Sequence, residues 1–201
     1  MYIKDLRTGR IEPVIQTPTV FEHPAAWSHD GAYLLVRVMD EKGSGLSAWS
    51  FGSRTLSRFA SQAGEHAAFS PDDRYLAFSS RESGREEVYV TTFPERRQTW
   101  PLTTEGGTVL SWRKDGREIL VATLSGHIVA YPVSTEGSFS AGQPTVLVRD
   151  VGFAARFSTA MRDHSRILIR VSPDAAKDKG EIRLLFGWAD ALRRGKPPMR
   201  P

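Results

Sequence analysis

The stretch "HAAFSPDDRYLAFSS", His66–Ser80, has two close copies elsewhere in the chain: "HPAAWSHDGAYLLVRV", His23–Val38, and "VLSWRKDGREILVATL", Val109–Leu124. Trp27, Phe69 and Trp112 hold one place in the three copies, at spacings of 42 and 43 residues. Asp30, Asp72 and Asp115 follow three residues later, then Gly31, Asp73 and Gly116, then an apolar run. A fourth, eroded copy is read in "FSTAMRDHSRILIRV", with Met161 in the aromatic's place and His164 in the Asp's, at a spacing of 49. Self-similarity at this period is the mark of a repeat architecture and outranks any local assignment.

Each copy reads as a hairpin. One strand ends at the aromatic. Asp then accepts hydrogen bonds from nearby backbone amides while Gly takes the positive φ, and a strand rich in β-branched and aromatic residues follows. Polar loops ("DEKGSG", "SSRESGREE", "LSGH") lead to third strands "LSAWSF", "EVYVTTF" and "HIVAYPV", and further turns to fourth strands "RTLSRFA", "RQTWPLT" and "PTVLVRD". Four antiparallel strands in about forty residues, repeated, form the unit of a β-propeller blade. No long segment has apolar residues at helical spacing, and 17 Gly and 12 Pro punctuate the chain; only "FGWADALRR" suggests a short helix.

The expected fold is all-β: a propeller of four-stranded antiparallel blades over 1–192, with a disordered basic tail at 193–201. The opening "MYIKDLRTGRIEPVIQ" matches the third and fourth strands of a blade, Tyr2 falling on Tyr89 and Leu6 on Phe93. A partial blade at 1–20 is therefore followed by blades at about 21–62, 63–104 and 105–150 and a last one at 151–190. In that last blade "FAARFST", "RILIRVS" and "EIRLLFG" are the evident strands. Two architectures fit, an open arc of a larger propeller and a small ring closed by the opening strands. The arc is favoured, because the last blade supplies its own third strand.

The totals narrow the function. With 201 residues the chain is long enough for one domain with a sizeable core, and 40% hydrophobic with 25% charged residues is an ordinary globular composition. The absence of Cys excludes a disulfide framework, a thiolate metal site and a Cys nucleophile. The net charge of +4 is scattered, apart from Arg193, Arg194, Lys196 and Arg200, and no basic stripe with interleaved aromatics calls for nucleic acid. No apolar run reaches bilayer length and the opening lacks a secretion-signal core, so the chain taken alone is expected in the cytoplasm. As part of a longer membrane-anchored protein it would stand outside the cytoplasm.

Most chemistry-bearing residues have a plain structural reading. Asp30, Asp72 and Asp115, with Gly31 and Gly116, are turn residues. Trp27, Phe69 and Trp112 are blade core, buried against neighbouring blades. The exception is the pairs Glu22-His23 and Glu65-His66, which precede the first strand of two successive blades. In a propeller the starts of the innermost strands gather at the mouth of the central channel, where two His and two Glu could hold a divalent metal or an acidic ligand. The third blade has Gly106-Gly107 in about this place, and the alignment slips by one residue between the two pairs. No G-x-S-x-G elbow and no kinase motif occurs.

The run "AFSPDDRYLAFSSRESGREEVYVTTFP" resembles the WD-like β-propeller repeat of TolB-type proteins. His29 stands where that family usually has Pro, and Asp73 where it usually has Gly. Gly106–Val148 and the ending "EIRLLFGWADALRR" are similar to the last blades of large bacterial proteins in which a propeller follows a serine/threonine kinase or a transcriptional-regulator domain. That resemblance implies a non-catalytic sensing or docking module, with a protein partner or the missing blades as its contacts and no cofactor. The alternative is a hydrolase- or lyase-type enzyme with a His/Glu metal site at the channel mouth. A third reading makes the chain a structural remnant of a longer protein.

Overall fold

A computed structural model describes residues 1–16, 21–41 and 43–169. The expected strand "EIRLLFG", the short helix in "FGWADALRR" and the basic tail with Arg193, Arg194, Lys196 and Arg200 lie outside the described residues.

A two-stranded hairpin opens the chain, β1 (Tyr2–Lys4) and β2 (Ile11–Pro13). Three larger antiparallel sheets follow. The first is β3 (Phe21–Trp27), β4 (Tyr33–Asp40), β5 (Gly43–Ser50) and β6 (Thr55–Ser61), in that spatial order. The second is β7 (Ala63–Phe69), β8 (Tyr75–Ser80), β9 (Glu87–Thr92) and β10 (Thr99–Pro101), again strictly sequential. The third has β11 (Gly107–Trp112), β12 (Glu118–Thr123) and β13 (Ile128–Ser134), with β14 (Ser140–Ala141) and β15 (Thr145–Val148) both pairing onto β13. A 3-10 turn, Gly152–Phe157, then leads to the hairpin β16 (Thr159–Ala160) and β17 (Ile167–Leu168). The described residues form a partial β-propeller: three full blades with a partial blade on either side. Among the described residues, β1–β2 and β16–β17 pair only within themselves.

Strand alternation explains how blades stack. Successive side chains of a strand point to opposite faces, so each central strand serves two interfaces. On β4, Leu34, Val36 and Val38 face the opening segment with Ile15, while Leu35 faces the second blade. On β8, Leu76 and Phe78 face back to the first blade, while Tyr75 and Ala77 face the third. On β12, Ile119 and Val121 face the second blade, while Leu120 and Ala122 face Ala155 and Ile167 of the last segment. The core is thus a row of inter-sheet layers, each closed by its neighbour.

Phe69 and Trp112 lie in these layers, 4% and 6% exposed. Trp27 does not behave as blade core: it is 47% exposed and stacks on Phe51, ring centroids 5.5 Å apart. It points to the same side of its blade as Leu34, its register partner. On that side, among the described residues, stand the two short strands β1 and β2 rather than a four-stranded sheet, and the indole is half covered.

The turns between the first and second strands of each blade share one bonding scheme. Gly31, Asp73 and Gly116 donate their N–H groups to Ser28, Ser70 and Arg113 carbonyls at 2.9–3.0 Å. Asp30 Oδ1 accepts from the Ala32 amide, Asp72 Oδ1 from Arg74 and Asp115 Oδ1 from Arg117. The fourth copy obeys the same scheme one residue out of the expected alignment. His164 donates to Met161 O at 2.7 Å and Asp163 Oδ1 accepts from Ser165 N at 3.0 Å. Asp163 is therefore the turn carboxylate, His164 stands at the glycine position with φ 55°, and Ala160, not Met161, takes the aromatic's place.

The two departures from the family line, His29 and Asp73, meet in one contact. Asp73 accepts the His29 amide at 3.0 Å and the Asp30 amide at 2.9 Å, and its Oδ1 lies 2.8 Å from His29 Nδ1. Proline at position 29 would have no N–H to give, and glycine at 73 no carboxylate to receive it. The contact ties the first blade's turn to the second's, with Asp73 held at φ 56°.

Asp30, Asp72, Asp115 and Asp163 all sit below the ordinary 3.8. The Ser28 hydroxyl lowers Asp30, and the Ser165 amide lowers Asp163. For Asp72 and Asp115 burial pushes up, but bonds from Ser70 and Arg74, and from Arg113 and Arg117, together outweigh it. Because folding depresses these values, their stabilisation is present above the ordinary 3.8 and lost as pH falls through the lower folded values. The urea midpoint is expected to hold between pH 7 and 5 and to drop between pH 4 and 2.5.

Candidate functional site

The propeller has two ends. One carries the turns just described. At the other, the mouth, β4 and β8 finish and the inner strands β3 and β7 begin; β3, β7 and β11 run side by side along the axis. Here a cavity of about 500 Å³ opens between the first blade, the second blade and the 3-10 turn. Arg37, His66, Arg81, Glu86, Arg156 and Phe157 carry its chemistry.

Each comes from a different local cause. Arg37 sits inside the apolar run of β4, on the face towards the second blade, opposite His23 in register. His66 lies where the pairing of β7 with β8 breaks between Ala63 and Ala67, a bulge that re-aims side chains. Arg81 follows β8, Glu86 precedes β9, and the turn Gly152–Phe157 carries Arg156 across the mouth from the far side of the third blade.

Glu86 organises the cations. Its Oε2 lies 2.8 Å from Arg156 Nη2 and 3.5 Å from Arg81 Nη2, and its Oε1 accepts from Thr108 Oγ1 at 3.3 Å. Arg156 also donates to Thr108 Oγ1 at 3.2 Å. Across the cavity, Arg37 Nε donates to Ser44 Oγ at 3.0 Å. Behind Glu86, Glu87 is held lower than an ordinary carboxylate. Burial raises it, but bonds from Thr103, Arg85 and the Gly106 amide prevail, pinning the loop that enters β11.

Of the four residues expected at the mouth, His66 lines the cavity. Glu22 and His23 are adjacent on a strand and so point to opposite faces. Glu22 turns to the side of Val38 and the opening segment, 3.8 Å from the Met1 amino group. His23 is exposed beside Arg37 in register. The side chain of Glu65 lies outside the described residues. Among the described residues no three His, Asp or Glu side chains gather to hold a metal. Gly106 and Gly107 occupy the equivalent place in the third blade: Gly106 has φ 89°, a conformation that favours glycine, and a Cβ at Gly107 would meet Val121 Cγ1 at 2.7 Å.

The three arginines escape the repeat alignment. The one available signal was Arg37, a charge interrupting the run Tyr33–Val38.

At the turn end, a second cluster lies between the third blade and the last hairpin. Ser111 Oγ is 2.8 Å from His164 Nε2, and His164 Nδ1 is 2.8 Å from Glu118 Oε1. Arg113 Nη1 reaches Glu118 Oε2 at 3.3 Å. His164 is wholly buried.

The fold and its repeat define the class: a partial β-propeller of four-stranded antiparallel blades. No protein-family model and no curated protein matches the sequence. Solved structures do. A TolB-type protein from Agrobacterium tumefaciens is 21% identical, with TM-score 0.65 over 92% of this chain and 64% of that one. TolB from Acinetobacter baumannii is 18% identical, TM-score 0.59, over 84% and 44%. The Cps50 (Swd1) β-propeller domain of Myceliophteria thermophila is 14% identical, TM-score 0.59, over 85% and 55%. These likenesses show the fold. The chain spans about half the length of the propellers it matches. Enzymes share the fold as well, so it does not decide between binding and catalysis. No helix among the described residues is long and apolar enough to cross a membrane.

Proposed function

We propose that this chain is a non-catalytic binding module, the C-terminal part of a longer TolB-like or kinase-linked propeller protein, which presents its channel mouth to a protein or small ligand. The observation that carries the reading is the mouth cavity itself: concave, lined by convergent polar groups and assembled from three separate segments. The sequence resemblance to kinase-linked propellers supports the sensing role. Photo-crosslinking tests it: a benzophenone amino acid at Gln62, on the mouth, and at Lys114, in a turn at the opposite end. Specific adducts are expected from position 62 and none from 114; the reverse pattern would place the working face elsewhere.

One observation favours a second reading, a hydrolase. Ser111, His164 and Glu118 are bonded in series, the order of a nucleophile, base and orienting acid. Zero exposure of the imidazole argues instead for a structural clasp. A fluorophosphonate probe separates the two: labelling of Ser111 would establish the hydrolase, and an unlabelled chain leaves the clasp.

A further inference from the structure

We propose that the free edge of β1 and the Trp27–Phe51 stack receive a two-stranded β-hairpin whose second strand begins with a tyrosine. The hairpin supplies the first two strands of the opening blade. The inference deepens the reading of the chain as the C-terminal part of a longer propeller and rests on it: the hairpin belongs to the parent chain ahead of Met1.

The sheet topology leaves a place for it. β5 and β9, the third strands of the first two blades, pair on both sides, with β4 and β6 and with β8 and β10. β1 matches them in sequence, Tyr2 falling on Tyr89, yet among the described residues it pairs with β2 alone. A strand with one open edge presents a row of unpaired N–H and C=O groups and accepts another strand.

The side chains say what that strand carries. Phe51 and Phe93 are equivalent: their N–H groups donate to Ala32 O at 3.0 Å and to Arg74 O at 2.9 Å. Where the first and second blades meet, Phe69 packs edge-on to Phe93 at 4.9 Å, and Tyr33 packs edge-on to the same ring at 4.9 Å. Where the second and third meet, Trp112 and Tyr75 both pack on Phe139 at 6.2 Å. Each tyrosine opens the second strand of the preceding blade, three residues after its turn Asp. Trp27 and Phe51 repeat the other two members of this cluster, 5.5 Å apart, and among the described residues no third ring joins them. Trp27 is 47% exposed where Phe69 and Trp112 are 4% and 6% exposed.

The interface between the third blade and the last hairpin bears the rule out from the opposite side. There Ala160 stands in the aromatic's place, and Glu118, not tyrosine, opens β12. The two positions change together, so a tryptophan at 27 calls for an aromatic ring opposite it. β2, Ile11–Pro13, has no aromatic to lend. The last hairpin of a second copy does not meet the terms either, because Arg166 stands three residues after the turn carboxylate Asp163.

A copy of Ala63–Glu87, the β7–β8 hairpin with its following loop, joined ahead of Met1 of the whole chain tests the proposal, because Met1 falls on Val88 in the blade alignment. Hydroxyl-radical footprinting by mass spectrometry reads Trp27, and urea denaturation reads stability. Trp27 is expected to be labelled in the ungrafted chain. In the grafted chain it is expected to lose most of that labelling, as its exposure falls from 47% towards the 4% and 6% of Phe69 and Trp112. Leu124, 52% exposed beyond β12, is expected to be labelled equally in both. The urea midpoint is expected to rise. Tyr75→Ala made in the grafted copy alone is expected to restore most of the labelling and to reverse most of the rise, since the ring contact goes with the tyrosine. Equal labelling of Trp27 with and without the graft would overturn the proposal. So would protection indifferent to Tyr75→Ala, which sinks the aromatic chemistry and leaves the longer-propeller reading standing. Protection of Trp27 in the ungrafted chain would overturn it too, with a second copy as the occupant if dilution restores labelling and residues 170–201 if it does not. None of these outcomes depends on the crosslinks at position 62, so failure here and failure of the mouth reading are told apart.

Discussion

Replacing His164 with alanine is expected to destabilise the chain by about 2–4 kcal/mol. The imidazole is wholly buried and joins three segments: Ser111 on β11, Glu118 on β12 and its own turn before β17. Alanine leaves the Ser111 hydroxyl and the buried Glu118 carboxylate without that partner, and an unmatched buried polar group costs more than a hydrogen bond contributes. Arg113 still holds the other Glu118 oxygen, which keeps the loss below that of a fully stranded charge. Backbone strain is separable. At φ 55° glycine is easier than any other residue, so His164→Gly is expected to be about 1 kcal/mol less harmful than alanine while still well below wild type. Urea denaturation measures both. Wild-type stability in the two variants would mean that the Ser111–His164–Glu118 chain holds nothing together. Amide exchange at Met161 and His164 should accelerate before the rest of the third blade, because their hairpin is the element released.

Phe78→Ala is expected to cost about 3–5 kcal/mol, the range for a buried aromatic truncated to alanine. Phe78 is completely buried where the first two blades meet. Its ring meets Phe59 edge-on at 6.3 Å and Tyr89 at 6.0 Å, with the Arg96 guanidinium 5.3 Å from its centroid. A blade buries its faces only against its neighbours, so a void here weakens the joint that shapes the mouth. The urea midpoint should fall with an unchanged slope if the blades still unfold together. Leu124→Ala, at a side chain 52% exposed, should shift it by less than about 0.5 kcal/mol.

Periodicity made the fold legible. The recurring aromatic, the Asp three residues on and the residue of positive φ after it are local requirements of one hairpin, so they survive in sequence. What one copy meets across the interface is not local. Nothing in Trp27 itself says that the neighbouring side carries two short strands among the described residues, where the indole is half exposed. The fourth turn lies one residue from its expected alignment because a histidine fills the place where Gly31 and Gly116 set the expectation. At the mouth, His66 could be anticipated from its distance to Phe69. The pairing of Glu22 with His23 could not hold, since neighbours on a strand diverge. The arginines lie at unrelated repeat positions, so only the folded chain reveals that they converge.

The mouth exists only if successive blades lean on one another around a common axis, and the Cys-free chain allows a direct test. Paired cysteines at His29 and Asp73, whose turns touch through 3.0 and 2.8 Å contacts, and at Lys114 and Arg162, joined by a 2.7 Å backbone bond, span the first–second and the third–last interfaces. Mild oxidation followed by mass spectrometry should find both disulfides in folded protein and none between cysteines at 29 and 114, which belong to blades one removed. A 29–114 disulfide in place of 29–73 would contradict the arrangement from which the site is built.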